Sequence, residues 1–180
     1  MTGIVVDIYK NEIFVFADGR VTNDDYVFTD KDDKIHKLGE RDIITMTGGC
    51  EIIDQAIELI RDGNLSIESV KEITGSGIII YVTDELIHEW TIDNVKDTKD
   101  SPSNNGTATY KHKVLPLFFG SGTEALAGAY ELAQPRKAKN CKDYQKSMEG
   151  IFLAASKRVS SMGPLHQTES FKLPKRKNKS

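Results

Sequence analysis

Three residues in the first 34 have the types that together make an acyl-transfer site: Thr2, Asp18 and Lys34. Met1 precedes Thr2 and then Gly3, a small-residue context in which the initiator methionine is commonly removed. The mature chain would then begin with a residue that carries both a hydroxyl and a free α-amine. Such a threonine is its own nucleophile and base, because an α-amine titrates at about 7.7 to 8.0 and takes the hydroxyl proton near neutral pH. Lys34 stands before Ile35 and Leu38, at the start of an apolar run that carries it inward. A buried ammonium needs a counter-charge, and Asp18 is the candidate. A unit charge at about 4 Å is worth about 4 kcal/mol at an effective dielectric near 20, before desolvation. Lys34 beside Thr2 would therefore ease formation of the alkoxide and favour the unprotonated amine.

A hairpin must bring these residues together, its strands running from Thr2 through Ile4 to Val6 and from Phe14 to Asp18. With a three-residue loop at Tyr9, Lys10 and Asn11, paired positions sum to 20 and Thr2 faces Asp18. Ile4 then meets Phe16 and Val6 meets Phe14 on that face, while Val5 meets Val15 on the other. A two-residue loop at Lys10 and Asn11 fits the composition equally well and puts Thr2 and Asp18 on opposite faces. The first register is the one expected here. Both faces of the hairpin are apolar in either case.

In order and spacing these residues resemble the proteasome β subunits and their bacterial relative, the peptidase HslV, members of the N-terminal-nucleophile (Ntn) hydrolases. The residues that carry the likeness are Thr2-Gly3-Ile4-Val5, Ala17-Asp18-Gly19-Arg20-Val21-Thr22 and Lys34-Ile35-His36-Lys37-Leu38. Further along, Ile43-Ile44-Thr45-Met46-Thr47-Gly48-Gly49 and Phe119-Gly120-Ser121-Gly122 fall where the family has its oxyanion-loop glycines and its Gly-Ser-Gly. The likeness is collinear over roughly residues 2 to 173. It implies catalytic roles for Thr2, Asp18 and Lys34, with Ser121 as the accessory serine that hydrogen-bonds the N-terminal amine. Aligned on Gly48 and Gly49, the family's oxyanion glycine falls on Thr45, whose N–H would serve while its side chain narrows the cleft. Near the last helix many proteasome β subunits carry an Asp followed by Ser; here Val159 takes the acid's place, leaving Ser160 or Ser161 as substitutes.

A length of 180 residues and a mass of 20.1 kDa suit one domain over residues 1–173, followed by a basic flexible tail at 174–180. The net charge of -3, the pI near 5.8 and the 38% hydrophobic content point to neither nucleic acid nor membrane as partner. No run of 18 or more apolar residues and no signal-like start are present, and Cys50 and Cys141 are too far apart in sequence to suggest a ligand pair. The expectation is a cytoplasmic protein with free thiols. His36, His88, His112 and His166 share no metal-ligand spacing, and no phosphate-binding glycine loop occurs, so no metal or cofactor is expected.

Beyond the hairpin, Asp42 to Thr47 reads as a strand ended by Gly48-Gly49. Cys50 to Asp62 reads as a helix with Ile53, Ala56, Ile57 and Ile60 on one face, and Ser66 to Ile73 as a shorter helix with Ser66 as N-cap. A second hairpin pairs Gly77–Thr83 with Leu86–Ile92, and a polar loop spans Asp93 to Thr107. Thr109 to Phe119 reads as one strand, Thr123 to Leu132 and Cys141 to Ser161 as helices, and Leu165 to Leu173 as a polar edge strand. The second of those helices places Tyr144, Met148, Ile151, Phe152 and Ala155 on one side, and Gly163-Pro164 ends it.

Strands, two helices, strands, two helices and a strand, with a first hairpin apolar on both faces, need sheets covered on both sides. The α+β solution is a four-layer αββα sandwich of two antiparallel sheets, which is also what the resemblance implies. The function expected is a threonine-type endopeptidase cleaving polypeptide through Thr2. The resemblance further implies a ring-forming homo-oligomer that encloses the sites, with an unfoldase ATPase as a feeding partner. Two rivals share the fold: an Ntn amidohydrolase acting on a small amide, and a catalytically silent shell subunit, for which Thr45, Val159 and any retention of Met1 argue.

Overall fold

Strands β1 (Gly3–Tyr9) and β2 (Glu12–Asp18) pair antiparallel in the computed structural model, which describes residues 3–23, 26–64, 66–94 and 105–174. Ile4 lies opposite Ala17, Val5 opposite Phe16 and Tyr9 opposite Glu12, so paired positions sum to 21. This corrects the expected register by one residue: the loop is Lys10 and Asn11 alone, with Lys10 at a φ of 57°. Tyr9 explains the difference. Its ring stacks on Tyr144 at 4.5 Å and its hydroxyl donates to the Ala138 carbonyl at 2.6 Å, contacts that a place in an exposed loop would forfeit. Asp18 consequently ends the strand opposite Gly3, not opposite Thr2.

After the hairpin the chain forms a small ribbon of β3 (Val21–Asn23) and β4 (Tyr26–Thr29), then β5 (Ile35–Lys37) and β6 (Ile43–Gly48). Helices α1 (Cys50–Arg61) and α2 (Ile67–Val70) follow, and then β7 (Gly75–Val82), β8 (Leu86–Asn94) and β9 (Gly106–Lys111). Gly63, at a φ of 67°, closes α1 in the left-handed conformation that ends helices. The buried line of α1 is Ile52 and Ala56, one step round from the face expected, with Ile53, Ile57 and Ile60 at its margins. Ser66 caps α2 through a reciprocal bond with Ser69, but the helix stops at Val70, short of Ile73.

The single strand expected over 109–119 is two. β9 ends at Lys111, a short 3-10 turn spans His112–Val114, and β10 (Leu117–Gly120) begins after Pro116. The two halves join different sheets, which one continuous strand cannot do, and Pro116 supplies no N–H to a ladder. Then come α3 (Thr123–Ala133), α4 (Cys141–Ser156) and β11 (Leu165–Lys172). α4 stops five residues before Ser161 because the chain turns back there to bury Met162. That side chain packs so closely that a Cβ on Gly3 or Gly122 would lie 2.8 or 2.5 Å from its sulfur.

Among the described residues one sheet runs β10-β1-β2-β11 and the other β5-β6-β7-β8-β9, both antiparallel. Between them lies a core in which Ile4, Val6, Ile13 and Val15 meet Ile35, Ile43, Ile80 and Ile87. On the outer side of the first sheet, Val5, Tyr9, Phe14 and Phe16 pack against α3 and α4 through Leu126, Tyr144, Met148 and Phe152. On the outer side of the second, Ile44, Met46 and Ile79 pack under α1 and α2 through Ile52, Ala56 and Val70. Helix, sheet, sheet, helix is the four-layer αββα sandwich. No described helix is long and apolar enough to cross a membrane. Of the polar loop, residues 95–104 lie outside the described residues, as does the basic tail beyond Pro174.

Candidate active site

The end of β2 delivers Asp18, fully buried, to a point where three donors converge. Its Oδ1 accepts from the Lys34 ammonium at 3.1 Å, and its Oδ2 accepts from the backbone N–H groups of Gly3 at 3.1 Å and Gly163 at 3.0 Å. Lys34 is 3% exposed and also donates to the Arg20 carbonyl at 2.6 Å. Burial pushes the Asp18 carboxyl above its usual range, with the Lys34 ammonium, Gly163 and Gly3 acting in the opposite sense. Sequence and structure therefore agree on the Asp18–Lys34 pair, although its partner on β1 is the Thr2–Gly3 peptide N–H. Thr2 itself lies outside the described residues.

The two ends of the segment from Gly19 to Lys34 are held in place by contacts not anticipated from the sequence. Arg20 donates to both oxygens of Asp30, at 2.6 and 3.2 Å, and to the Ser160 carbonyl at 2.9 Å. That fork raises the Arg20 pKa and lowers that of Asp30. Gln167 on β11 accepts from the N–H groups of Lys34 at 2.5 Å and Ile35 at 2.9 Å, fixing where the lysine leaves the chain. At Gly19 any Cβ would stand 2.4 Å from the Asp30 carbonyl oxygen, so this close return of the loop admits only glycine.

Ser121 follows Gly120, which pairs with Gly3, so the sheet register sets the serine beside the start of β1. Its hydroxyl lies 3.0 Å from that of Ser161. Of the two serines weighed as substitutes for a missing acid, Ser161 thus meets Ser121 and Ser160 offers its carbonyl to Arg20. Val159 is packed in the apolar layer under α4.

A cleft of about 1170 Å³ opens between the sheets next to this cluster. Thr22, Thr47, Gly48, Gly49, Ser121 and Ser161 line its near end, Leu117, Phe118 and Phe119 one wall, and Glu89, Thr91, Asp93 and Tyr110 the other. Gly48, at a φ of 138°, sits where a Cβ would be 2.4 Å from the Ser76 carbonyl oxygen. Thr45 is placed differently from the expectation that its side chain narrows the cleft. It is fully buried within β6, between Ile35 and Ile80, and Thr47 and Gly48 form the wall instead. Its hydroxyl has no hydrogen-bond partner among the described residues.

Two antiparallel sheets between helical layers make a four-layer α+β fold, with a buried Asp–Lys pair at the end of β2 beside the start of β1. No family model matches the chain, and no curated protein matches it in sequence. Solved structures do share its fold. Eukaryotic HslV from Trypanosoma brucei superposes with a TM-score of 0.58 at 13% identity, over 94% of this chain and 99% of that one. Thiobacillus denitrificans BPH, solved in complex with epoxomicin, gives a TM-score of 0.60 at 12% identity, over 96% and 99%. At such identities the likeness is one of fold.

Proposed function

We propose that the protein is a threonine peptidase that cleaves polypeptide through Thr2 once Met1 has been removed. The observation that carries this reading is the buried Asp18–Lys34 pair, whose carboxylate also holds the N–H of the peptide bond joining Thr2 to β1. In the proposed reaction the Thr2 hydroxyl oxygen attacks the substrate carbonyl carbon and its proton passes to the α-amine. The amine returns that proton to the leaving nitrogen as the peptide bond breaks, and an acyl ester remains on Thr2. Water, deprotonated by the same amine, then attacks the ester and frees the enzyme. Lys34 offsets the negative charge on the Thr2 oxygen, while Ser121 with its partner Ser161 holds the amine. Gly48, on the cleft wall and without a side chain, is better placed than Thr45 to offer its N–H to the oxyanion.

A ring-forming homo-oligomer, cytoplasmic and served by an unfoldase ATPase, belongs to the same reading. Of these, self-association is supported by apolar surface on the outer helices, where Leu132 is 81% and Leu153 50% exposed. The deciding experiment pairs intact mass with activity. The purified protein should lack Met1, hydrolyse unfolded polypeptide and bind epoxomicin, and Thr2→Ala should abolish hydrolysis while Thr2→Ser keeps part of it. Equal activity in wild type and Thr2→Ala would refute the proposal. Retained Met1 with no activity would favour a silent shell subunit, and hydrolysis confined to small amides would favour the amidohydrolase.

A further inference from the structure

The cleft runs well past the candidate catalytic cluster, and its far wall has a chemical character of its own. On β8 the residues Ile87, Glu89, Thr91 and Asp93 share one face, since side chains alternate along a strand. They lead from the core between the sheets to the mouth: Ile87 is buried, Glu89 and Thr91 are half-buried, and Asp93 is exposed. Glu89 and Asp93 are the charged residues of the cleft lining, and no Lys, Arg or His accompanies them there among the described residues. The Tyr110 hydroxyl donates to Glu89 Oε2 at 2.5 Å, which orients the carboxylate and leaves Oε1 without a partner among the described residues.

A second polar group lies on the same row. Thr45 pairs with Ile80 and Ile80 with Glu89, so Thr45 and Glu89 stand two strand spacings apart, roughly 10 Å, on the face of the sheet that turns inward. Thr47, two residues on from Thr45, lines the cleft, which directs the Thr45 side chain to the same side one row deeper. Its fully buried hydroxyl has no hydrogen-bond partner among the described residues. Opposite, Leu117 and Phe119 offer an apolar surface. Apolar wall on one side and carboxylate on the other is the environment that suits a long aliphatic stem ending in a cation.

From these observations we infer that this part of the cleft is a subsite for a lysine or arginine side chain of the polypeptide substrate, selected by Glu89 with Asp93 at the entrance. The inference rests on the peptidase reading for the nature of the ligand. Because Gly48 pairs with Gly77 and Gly77 with Ile92, β8 is again two strand spacings from the proposed oxyanion donor. The cation therefore belongs to a near neighbour of the residue at the cut bond, not to that residue itself.

The test separates binding from hydrolysis. Labelled peptides that differ at one scanned position, carrying Lys, Arg, norleucine or Glu, are titrated against the Thr2→Ala protein by fluorescence anisotropy. At one position Lys and Arg should bind roughly 10- to 100-fold tighter than norleucine, the range of a charge-assisted hydrogen bond, with Glu weakest. The preference should shrink as salt is added. Glu89→Gln, which keeps an acceptor for Tyr110, should remove most of it; Asp93→Asn, at an exposed position, should remove a smaller part without affecting folding; Glu89→Lys should invert it. Equal binding of Lys and norleucine peptides at every position, or a preference that survives both neutral variants, overturns the inference. Wild-type hydrolysis without such a preference defeats the subsite and leaves the peptidase standing. Selective binding with no hydrolysis does the reverse.

Discussion

Removing the Lys34 ammonium has two separable effects. Lys34→Ala leaves Asp18 buried with two N–H donors but no counter-charge, and breaking such a pair costs about 3 to 5 kcal/mol. A domain of ordinary stability, about 5 to 15 kcal/mol, still folds at that cost, so a lower urea midpoint with a native-like circular dichroism spectrum is expected. On the peptidase reading kcat/KM falls further than stability explains, by about 10²- to 10³-fold. The double variant Asp18→Ala with Lys34→Ala should be less destabilised than the sum of the single ones, because the second deletion removes the stranded charge. Tyr110 gives a second residue-level readout. The hydrogen bond to Glu89, then burial and the Glu89 charge, push its pKa from 10.0 up to about 12. A raised phenol pKa favours the protonated form in the folded state. Its contribution is complete below pH 10 and is lost as pH rises towards 12. An ultraviolet titration should show tyrosine ionisation in that range, with part of it moving down in Glu89→Ala, which removes both the hydrogen bond and the charge.

At the scale of elements, a second buried carboxylate ties α3 and α4 to the sheet. Asp7, fully buried on β1, accepts from the hydroxyl groups of Tyr144 at 2.7 Å and of Tyr130, and from the Arg136 guanidinium through Nε at 3.0 Å and through Nη2. Arg136 lies in the connection between the two helices, so one side chain on the strand clamps both helices and their link. Asp7→Ala strands two phenols and a guanidinium together and should cost about 3 kcal/mol or more, measured as a fall in the denaturation midpoint. Tyr144→Phe leaves the carboxylate three of its four partners, Tyr130, Arg136 and the Ile8 N–H, and should cost about 1 to 2 kcal/mol. The clamp matters to the site because the turn after α4 carries Ser161, Met162 and Gly163 to Ser121, Gly3 and Asp18. On the peptidase reading, the Asp7 variant should therefore lose activity at temperatures below its unfolding transition.

For the whole molecule, the outer faces of the helical layers carry exposed apolar surface on which the proposed association can be tested. Leu132 and Leu153 expose apolar surface on α3 and α4, where a groove of about 430 Å³ is lined by Ala129, Leu132, Ala133, Gly150, Ile151 and Ala154 together with Ser147 and Arg158. If rings form through this face, Leu132→Glu should shift the mass found by light scattering towards that of the monomer, 20.1 kDa, with the fold unchanged. An unaltered oligomer would place the contacts elsewhere.

Local chemistry decided what was legible without coordinates. Apolar periodicity announced the sandwich and picked out Tyr144, Met148, Ile151, Phe152 and Ala155, the buried side of α4, because each depends on neighbours within a few residues. Residue type and order alone proposed that Lys34 needs Asp18, since a buried ammonium requires a counter-charge. The hairpin register was not legible, because both strands are apolar on both faces and Tyr9 is held by Tyr144, 135 positions away in the chain. Nor were the Asp7 clamp, the Arg20–Asp30 fork, the Gln167 bridge, the Ser121–Ser161 contact or the acidic far wall of the cleft. These contacts depend on how separate segments are brought together and on which way a strand faces, and polar partners carry no periodic trace in sequence; only tertiary packing, of helix on sheet as well as sheet on sheet, brings them within reach.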